Sequence, residues 1–282
     1  MTDTTACIPP DLAARYRIQI PKLLLVFEDR AYEDGMTEDA AEFYEALRTA
    51  PRPPTTSAPS PGTYAESMLR AAEGVEAVLC LTVSRQFSAM YDAAVQGAAL
   101  ARQQRPDIDF RVVDSTAAAM AQGFIVLEAA RAAEEGASID EVIARAEALM
   151  PKVRLLVVLD TLSYLARTGR VPRLIVWASS PLQVKPIVEF QRGVYRPVAI
   201  VRTMRRAIDR LVRELERRVQ PGTGHICVHH TNVPAEAALL AERVRESLRP
   251  KELTVREFTQ VMGVHTGPGL LGFAFYSEDE DA

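Results

Sequence analysis

The chain has 282 residues, 48% hydrophobic and 25% charged, which supplies apolar material for two lobes and excludes a largely disordered polypeptide. Thirty-three basic against 37 acidic residues leave a net charge of −4, so the molecule lacks the overall basic footprint of a nucleic-acid binder. The opening MTDTTACIPP has neither a basic nor an apolar signal region, and no run reaches the roughly 18 apolar residues of a membrane span; a cytoplasmic protein without stable membrane insertion is expected.

In chain order, a short helix around Asp11–Tyr16 precedes an apolar run at 18–27. Thr37 is placed to cap a helix whose Phe43, Tyr44 and Leu47 share one face. The Pro- and Ser-dense PRPPTTSAPSPG follows, and Ser60-Pro61 supplies the N-cap and first-turn proline of the next helix, so the loop delivers Thr55, Thr56 and Ser57 to a helix N-terminus. Val75–Val83 reads as a buried strand with Ser84–Ser88 in a strand-to-helix turn. Phe110–Asp114 followed by Ser115 repeats that arrangement before a long Ala-rich helix ending at Gly136. Ser138 and Glu141 form a capping box for a helix that Pro151 closes, and Val153–Leu159 is another β-branched run. Strands alternating with helices predict βα units and a largely parallel sheet. In such a sheet the carboxyl ends of the strands line one crevice, so Thr4/Thr5, Ser84/Ser88 and Ser115/Thr116 are candidates to share its rim.

The second half reads differently. Val184–Phe190, a Gln191–Gly193 turn and Val194–Val201 predict a hairpin, and an Arg-rich helix runs from about Thr203 to Val219. On it Met204, Ile208, Leu211 and Leu215 form an apolar stripe opposite Arg202, Arg206, Arg210, Arg213 and Arg217. A strand at His225–His230, a helix from Pro234 to about Leu248, a strand at Glu252–Phe258 and an apolar run Leu270–Tyr276 complete an α+β lobe with mixed or antiparallel pairing.

Three cysteines, Cys7, Cys80 and Cys227, are widely spaced and carry no zinc pattern; they read as reduced core residues. Gly267–Gly272 matches the dinucleotide fingerprint in letters, yet ten residues remain after it, too few for the crossover and the acidic ribose ligand, so its glycines serve a close approach instead. His229 and His230 are neighbours on a strand, point to opposite faces and cannot share a metal. His265-Thr266-Gly267-Pro268-Gly269 places a histidine and a threonine in a glycine-proline loop before the last strand. A Ser88/His265 nucleophile-base pair would make a hydrolase, but no Gly-x-Ser-x-Gly elbow is present. Arg167, Arg170 and Arg173, with Arg202, Arg205 and Arg206, make local cationic clusters suited to an anionic group or partner.

Read together and in order, DTTACIPPDLA, PTTSAPSPGTY, VSRQFSAMYDAA, VVDSTAAAMAQG, DTLSYLARTGRV, VKPIVEF and GVHTGPGLLGFAF resemble the DegV family from near Asp3 to Tyr276. The resemblance implies a Rossmann-like parallel-sheet lobe at 1–160 and an α+β lobe with antiparallel or mixed strands at 161–282, with a lipid tunnel between and within them. It implies one long-chain fatty acid as ligand, no cofactor, and a monomeric carrier that serves phospholipid metabolism as the lipid-carrying subunit of an ATP-dependent fatty acid kinase. Thr56, Ser57, Ser88, His265 and Thr266 match the family's carboxylate-binding positions, and Arg170 and Arg202 its kinase-contact positions. Two departures fall beside them: Ala58 replaces the usual Gln, and Ala89-Met90 replace the usual Gly-Thr after Ser88.

Sixteen or so carbons taken from water supply about 12 kcal/mol before ordering costs. A buried carboxylate is costly unless hydrogen-bonded, and hydroxyls with an imidazole satisfy it. The expectation is a binding and shuttle module with no catalysis of its own. The alternatives are a lipid or ester hydrolase using Ser88 and His265, or a lipid-sensing protein.

Overall fold

The computed structural model describes residues 1–27, 30–34, 40–50, 52, 54–169 and 184–279. The chain divides into two compact units, Met1–Asp34 with Thr56–Val153 and Gly35–Thr55 with Arg154–Ala282. Within the first, a 3₁₀ turn at Thr4–Ala6 leads to α1 (Pro10–Arg15) and the antiparallel pair β1 (Leu24–Phe27) and β2 (Arg30–Glu33). The apolar run at 18–27 therefore yields only a four-residue strand. Helix α2 (Ala40–Thr49), which belongs to the second unit, buries Phe43, Tyr44 and Leu47 on its one apolar face; Thr37, its expected cap, lies outside the described residues.

Thr55–Ser57, expected in a loop, form a short strand, β3, in a sheet of order β2-β1-β3. Ser60 then caps α3 (Pro61–Ala71), its hydroxyl accepting from Thr63 N at 3.1 Å with Pro61 in the first turn. β4 (Ala77–Thr82), α4 (Met90–Gln104), β5 (Asp109–Asp114), α5 (Met120–Glu134) and α6 (Ile139–Leu149) follow, α6 starting with both halves of the Ser138/Glu141 capping box. β4 and β5 pair in parallel from Ala77 with Asp109 to Thr82 with Asp114. Met1 runs beside β4, its N donating to Leu79 O (2.6 Å) and its O accepting from Leu81 N (3.0 Å). Gly97 lets α4 sit on α3: a Cβ there would stand 2.5 Å from Tyr64 Cβ and 2.9 Å from Pro61 O.

The second unit contains a six-stranded sheet of order β10-β9-β11-β6-β7-β8. Its strands are β6 (Arg154–Val158), β7 (Lys185–Gln191), β8 (Val194–Val201), β9 (Gly224–His230), β10 (Glu252–Glu257) and β11 (Leu271–Ser277). Val153–Leu159 thus contributes to this sheet, β6 pairing antiparallel with β11 and β7, which moves the boundary between units to Val153/Arg154. β9 and β10 pair in parallel, and the other ladders are antiparallel. The helices are α7 (Ser163–Thr168), α8 (Met204–Glu216), α9 (Pro234–Leu248) and α10 (Gln260–Thr266).

Side chains alternate across these strands, and one sheet face meets α8 and α9: Leu156, Val158, Ile226, Val228, Phe273 and Phe275 pack with Leu211, Leu215, Leu240 and Val244. Leu211 and Leu215 of the Arg-rich helix are fully buried as its stripe predicts, with Met204 and Ile208 at the margin. Leu155, Val157, Cys227, His229 and Ala274 alternate onto the opposite face and are buried as well. Two buried acids sit at α8, Glu214 on the helix itself and Glu189 on β7. Glu214 takes Arg218 and Arg210 at 2.6 Å, and Glu189 takes Arg154 at 3.4 Å, so burying these carboxylates is offset by charge pairing.

Candidate functional site

In the first unit the segments that carry the hydroxyls expected at the strand ends are held by carboxylates, Asp3 and Asp114 foremost. Asp3, almost fully buried, accepts at one oxygen from Thr5 N (3.0 Å) and Thr5 Oγ1, and at the other from Val83 N (2.8 Å) and Gln122 Nε2 (3.1 Å). Burial pushes its carboxyl above the usual range, and these hydrogen bonds oppose the push. Asp114, at the end of β5, accepts from Arg85 N (3.4 Å) and Thr116 N (2.8 Å). Ser84 N donates to Ala117 O (2.9 Å) and Ser115 N to Thr82 O (3.1 Å), so the segments after β4 and β5 are stitched together. Thr116 and Ala119 both take positive φ here, Ala119 with φ 55° and ψ −151° at the start of α5, a backbone region nearly confined to glycine.

Ser88 lies half-buried in the turn entering α4, its Oγ accepting from Met90 N at 3.3 Å. Thr56 is half-buried and Ser57 exposed on β3, where Ser57 Oγ donates to Ala58 O (3.2 Å). The arrangement offers short neutral donors on strand ends and helix starts.

The second unit contributes His265 and Thr266. They close α10 rather than standing in a loop, and Thr266 Oγ1 donates to Met262 O at 3.2 Å. Gly263 packs this helix against Tyr44, whose ring a Cβ there would strike. The Gly-Pro-Gly loop after it is fixed by fully buried Thr231: its hydroxyl donates to Gly267 O (2.7 Å) and accepts from Leu270 N (2.9 Å), and its carbonyl accepts from Gly269 N (2.8 Å). Gly267 and Gly269 hold positive φ, and a Cβ would strike Tyr164 at the first and come within 2.9 Å of Asp160 at the second. The glycines that spell a dinucleotide fingerprint thus serve close packing before β11. Beside this loop Arg48, Asp160, Thr161, Tyr164, Asn232 and Pro268 border a cavity of about 380 Å³.

The five expected head-group residues divide between the units, Thr56, Ser57 and Ser88 in the first and His265 and Thr266 in the second. Arg202 is exposed at the bend between β8 and α8, with Arg205, Arg206 and Arg213 on the exposed side of that helix; Arg170 lies outside the described residues. His229 and His230 take opposite faces, and burial pulls the His229 imidazole down to about 3, so it is neutral. Cys7, Cys80 and Cys227 are buried and not joined in disulfides, and burial pushes the Cys80 and Cys227 thiols up to about 12. No helix among the described residues is long and apolar enough to cross a membrane.

Residues 1–278 match the family model described as "Uncharacterised protein, DegV family". The chain belongs to the DegV family. A DegV domain-containing protein of Streptomyces coelicolor, SCO2569, is 38% identical over 274 residues, covering 96% of this chain and 95% of the relative. Two solved DegV-family structures share the fold along almost the whole chain. A Thermus thermophilus protein described by its fatty acid binding has a TM-score of 0.86 at 28% identity, with 98% of each chain covered. The Bacillus subtilis DegV, described as a fatty acid binding protein, has a TM-score of 0.84 at 29% identity, again with 98% of each chain covered.

Membership sharpens which of the DegV motifs carry structure. DTTACIPPDLA places Asp3 at its hub, and GVHTGPGLLGFAF places the loop that Thr231 clamps. Sequence reasoning missed both Asp3 and Thr231 as organising groups. Asp3 had one signal, its position capping the Thr4–Ala6 turn beside hydroxyl residues; Thr231 had none, because its partners lie 36 and 39 residues away.

Proposed function

We propose that this DegV-family chain binds one long-chain fatty acid in a buried tunnel and presents its carboxylate to a separate ATP-dependent kinase, catalysing nothing itself. The observation that carries this proposal is the whole-chain likeness to the Thermus thermophilus and Bacillus subtilis proteins described as fatty-acid binding. Local chemistry supports it. The face of the six-stranded sheet turned away from α8 and α9 presents Leu155, Val157, Cys227 and Ala274 beside the buried His229, mostly apolar and partly small, which suits an acyl chain. Thr56, Ser57, Ser88, His265 and Thr266 supply hydroxyl and imidazole donors for a carboxylate, whose burial without them costs several kcal/mol. In the kinase step a carboxylate oxygen attacks the γ-phosphorus of ATP, the bond to the ADP oxygen breaks, and the acyl phosphate leaves with the carrier. Arg202 is placed on an exposed bend, as a contact for that partner requires.

The test is transfer of labelled phosphate from ATP to protein-bound oleate by a bacterial fatty acid kinase. Transfer with wild type, lost with His265→Ala and reduced with Arg202→Glu, is expected. Full transfer with His265→Ala contradicts the head-group assignment, and ester turnover by the purified protein that vanishes in Ser88→Ala contradicts the non-catalytic role.

A further inference from the structure

The Asp3 carboxylate touches three separate segments of the first unit: the Thr4–Ala6 turn, the end of β4 and helix α5. Its partners across the chain, Val83 and Gln122, are 80 and 119 residues away. Around it Thr2 and Gln122 are fully buried, Gln122 Nε2 reaching Thr2 Oγ1 at 2.9 Å and Thr2 Oγ1 donating to Leu81 O at 2.7 Å. Each carboxylate oxygen accepts one backbone N–H, Thr5 on one side and Val83 on the other. Side-chain donors adapt by rotation or by an amide flip, but backbone N–H groups do not.

That pairing makes the requirement chemical as well as steric. An asparagine has one oxygen, so in either orientation its NH₂ faces a fixed backbone N–H, of Val83 or of Thr5. A buried donor left so is costly, and the segment it belongs to moves to relieve it. Val83 opens the turn that ends at Ser88; within that turn Gln86 N donates to Ser84 Oγ (3.4 Å) and Phe87 N to Ser84 O (3.0 Å), so displacement at Val83 is passed along it.

We propose that Asp3 is a positioning residue: its carboxylate sets the Ser84–Ser88 turn so that the Ser88 hydroxyl meets the ligand's carboxylate. This rests on the head-group role proposed above for Ser88. Asp3 itself never touches ligand; it acts through Val83 N. The consequence is selectivity for the acid over the corresponding alcohol, which a general weakening of the fold would leave alone, because tail burial is common to both ligands.

The experiment compares oleic acid with oleyl alcohol as ligands of the full chain, reading the ratio of affinities. Asp3→Asn is expected to lower that ratio about tenfold, the loss of one hydrogen bond to a charged group, and to speed amide exchange at 84–88 while β9 and β11 keep their protection. Gln122→Met removes one donor from the same oxygen yet leaves both backbone bonds; it folds more readily and is expected to lower the ratio about twofold to threefold by the same reasoning. Val142→Ala weakens the same unit from its core and is expected to keep the wild-type ratio. An unchanged ratio in Asp3→Asn or, should that variant not fold, in Gln122→Met overturns the proposal, as does a ratio that falls in Val142→Ala in step with stability. Ser88→Ala separates the two claims: a wild-type ratio there sinks the head-group assignment and the role of Asp3 with it. A lost ratio in Ser88→Ala beside a wild-type ratio in Asp3→Asn sinks the role of Asp3 alone.

Discussion

The two units fix their polar chain ends by different means. The first uses carboxylates, Asp3 and Asp114, each accepting backbone N–H groups from turns that follow buried strands. The second uses a hydroxyl and close glycine packing, with Thr231 gripping both ends of the Gly-Pro-Gly loop while its buried acids, Glu214 on α8 and Glu189 on β7, are paired with arginines. A carboxylate has two oxygens and serves several donors at the cost of burying charge. The Thr231 hydroxyl donates once, to Gly267 O, and accepts once, from Leu270 N, which suits a loop that presents one carbonyl and one N–H to it. The first device is therefore sensitive to charge and the second to shape.

Thr231→Val tests the second device most severely. It keeps the volume but leaves Gly267 O and Leu270 N unpaired in the interior, so a loss of about 3 kcal/mol is expected in urea unfolding, with Thr231→Ser recovering most of it. A loss no larger than that of an ordinary surface substitution breaks the comparison. Glu214→Gln removes the charge that Arg210 and Arg218 hold and is expected to cost about 1–2 kcal/mol at neutral pH. Burial pushes the Glu214 carboxyl up, but Arg218, Arg210 and Arg217 together outweigh it and hold it below the usual value. A depressed folded pKa means stability present above the unfolded value near 4.3 and lost as pH falls through the folded one. Wild type should accordingly approach the variant in stability toward pH 3.

Ala119→Gly sharpens the first half of the comparison. Relief of the strained backbone at the start of α5 should exceed the entropy glycine adds to the unfolded chain, leaving a gain of about 1 kcal/mol or less; a lowered urea midpoint would show that the methyl packing outweighs the strain. The smallest effect expected is at His225, which contacts Glu252 and Glu278 at 3.1 Å each and stacks on Tyr276. Burial lowers its pKa, yet the two carboxylates raise it further and leave it above the ordinary value. Its contribution to stability is thus complete below about pH 6.5 and lost as pH rises through the folded value. His225→Asn should flatten the stability profile above about pH 6.5, and an unchanged slope would place its origin elsewhere.

Where a few neighbouring residues decide the outcome, the chain is readable without its structure. Ser60-Pro61, Ser138 with Glu141, and the hairpin at 184–201 each appear where their local chemistry predicts. Helix α10 escaped detection because seven residues with β-branched Val261 and Val264 and a central Gly263 carry little helical propensity; packing against Tyr44 supplies what the sequence lacks. β3 was hidden by proline-rich surroundings, and β6 sided with the second unit because its partners β7 and β11 come later in the chain. The candidate head-group residues rest on the family motifs, whereas Asp3 and Thr231 act mainly through partners dozens of residues away, which no local pattern reveals.

Fatty-acid binding is tested by native mass spectrometry of the freshly purified chain, followed by solvent extraction of whatever it carries. One long-chain fatty acid per chain is expected, released as the free acid. Protein recovered empty, and unable to take up oleic acid when it is offered, would contradict that expectation.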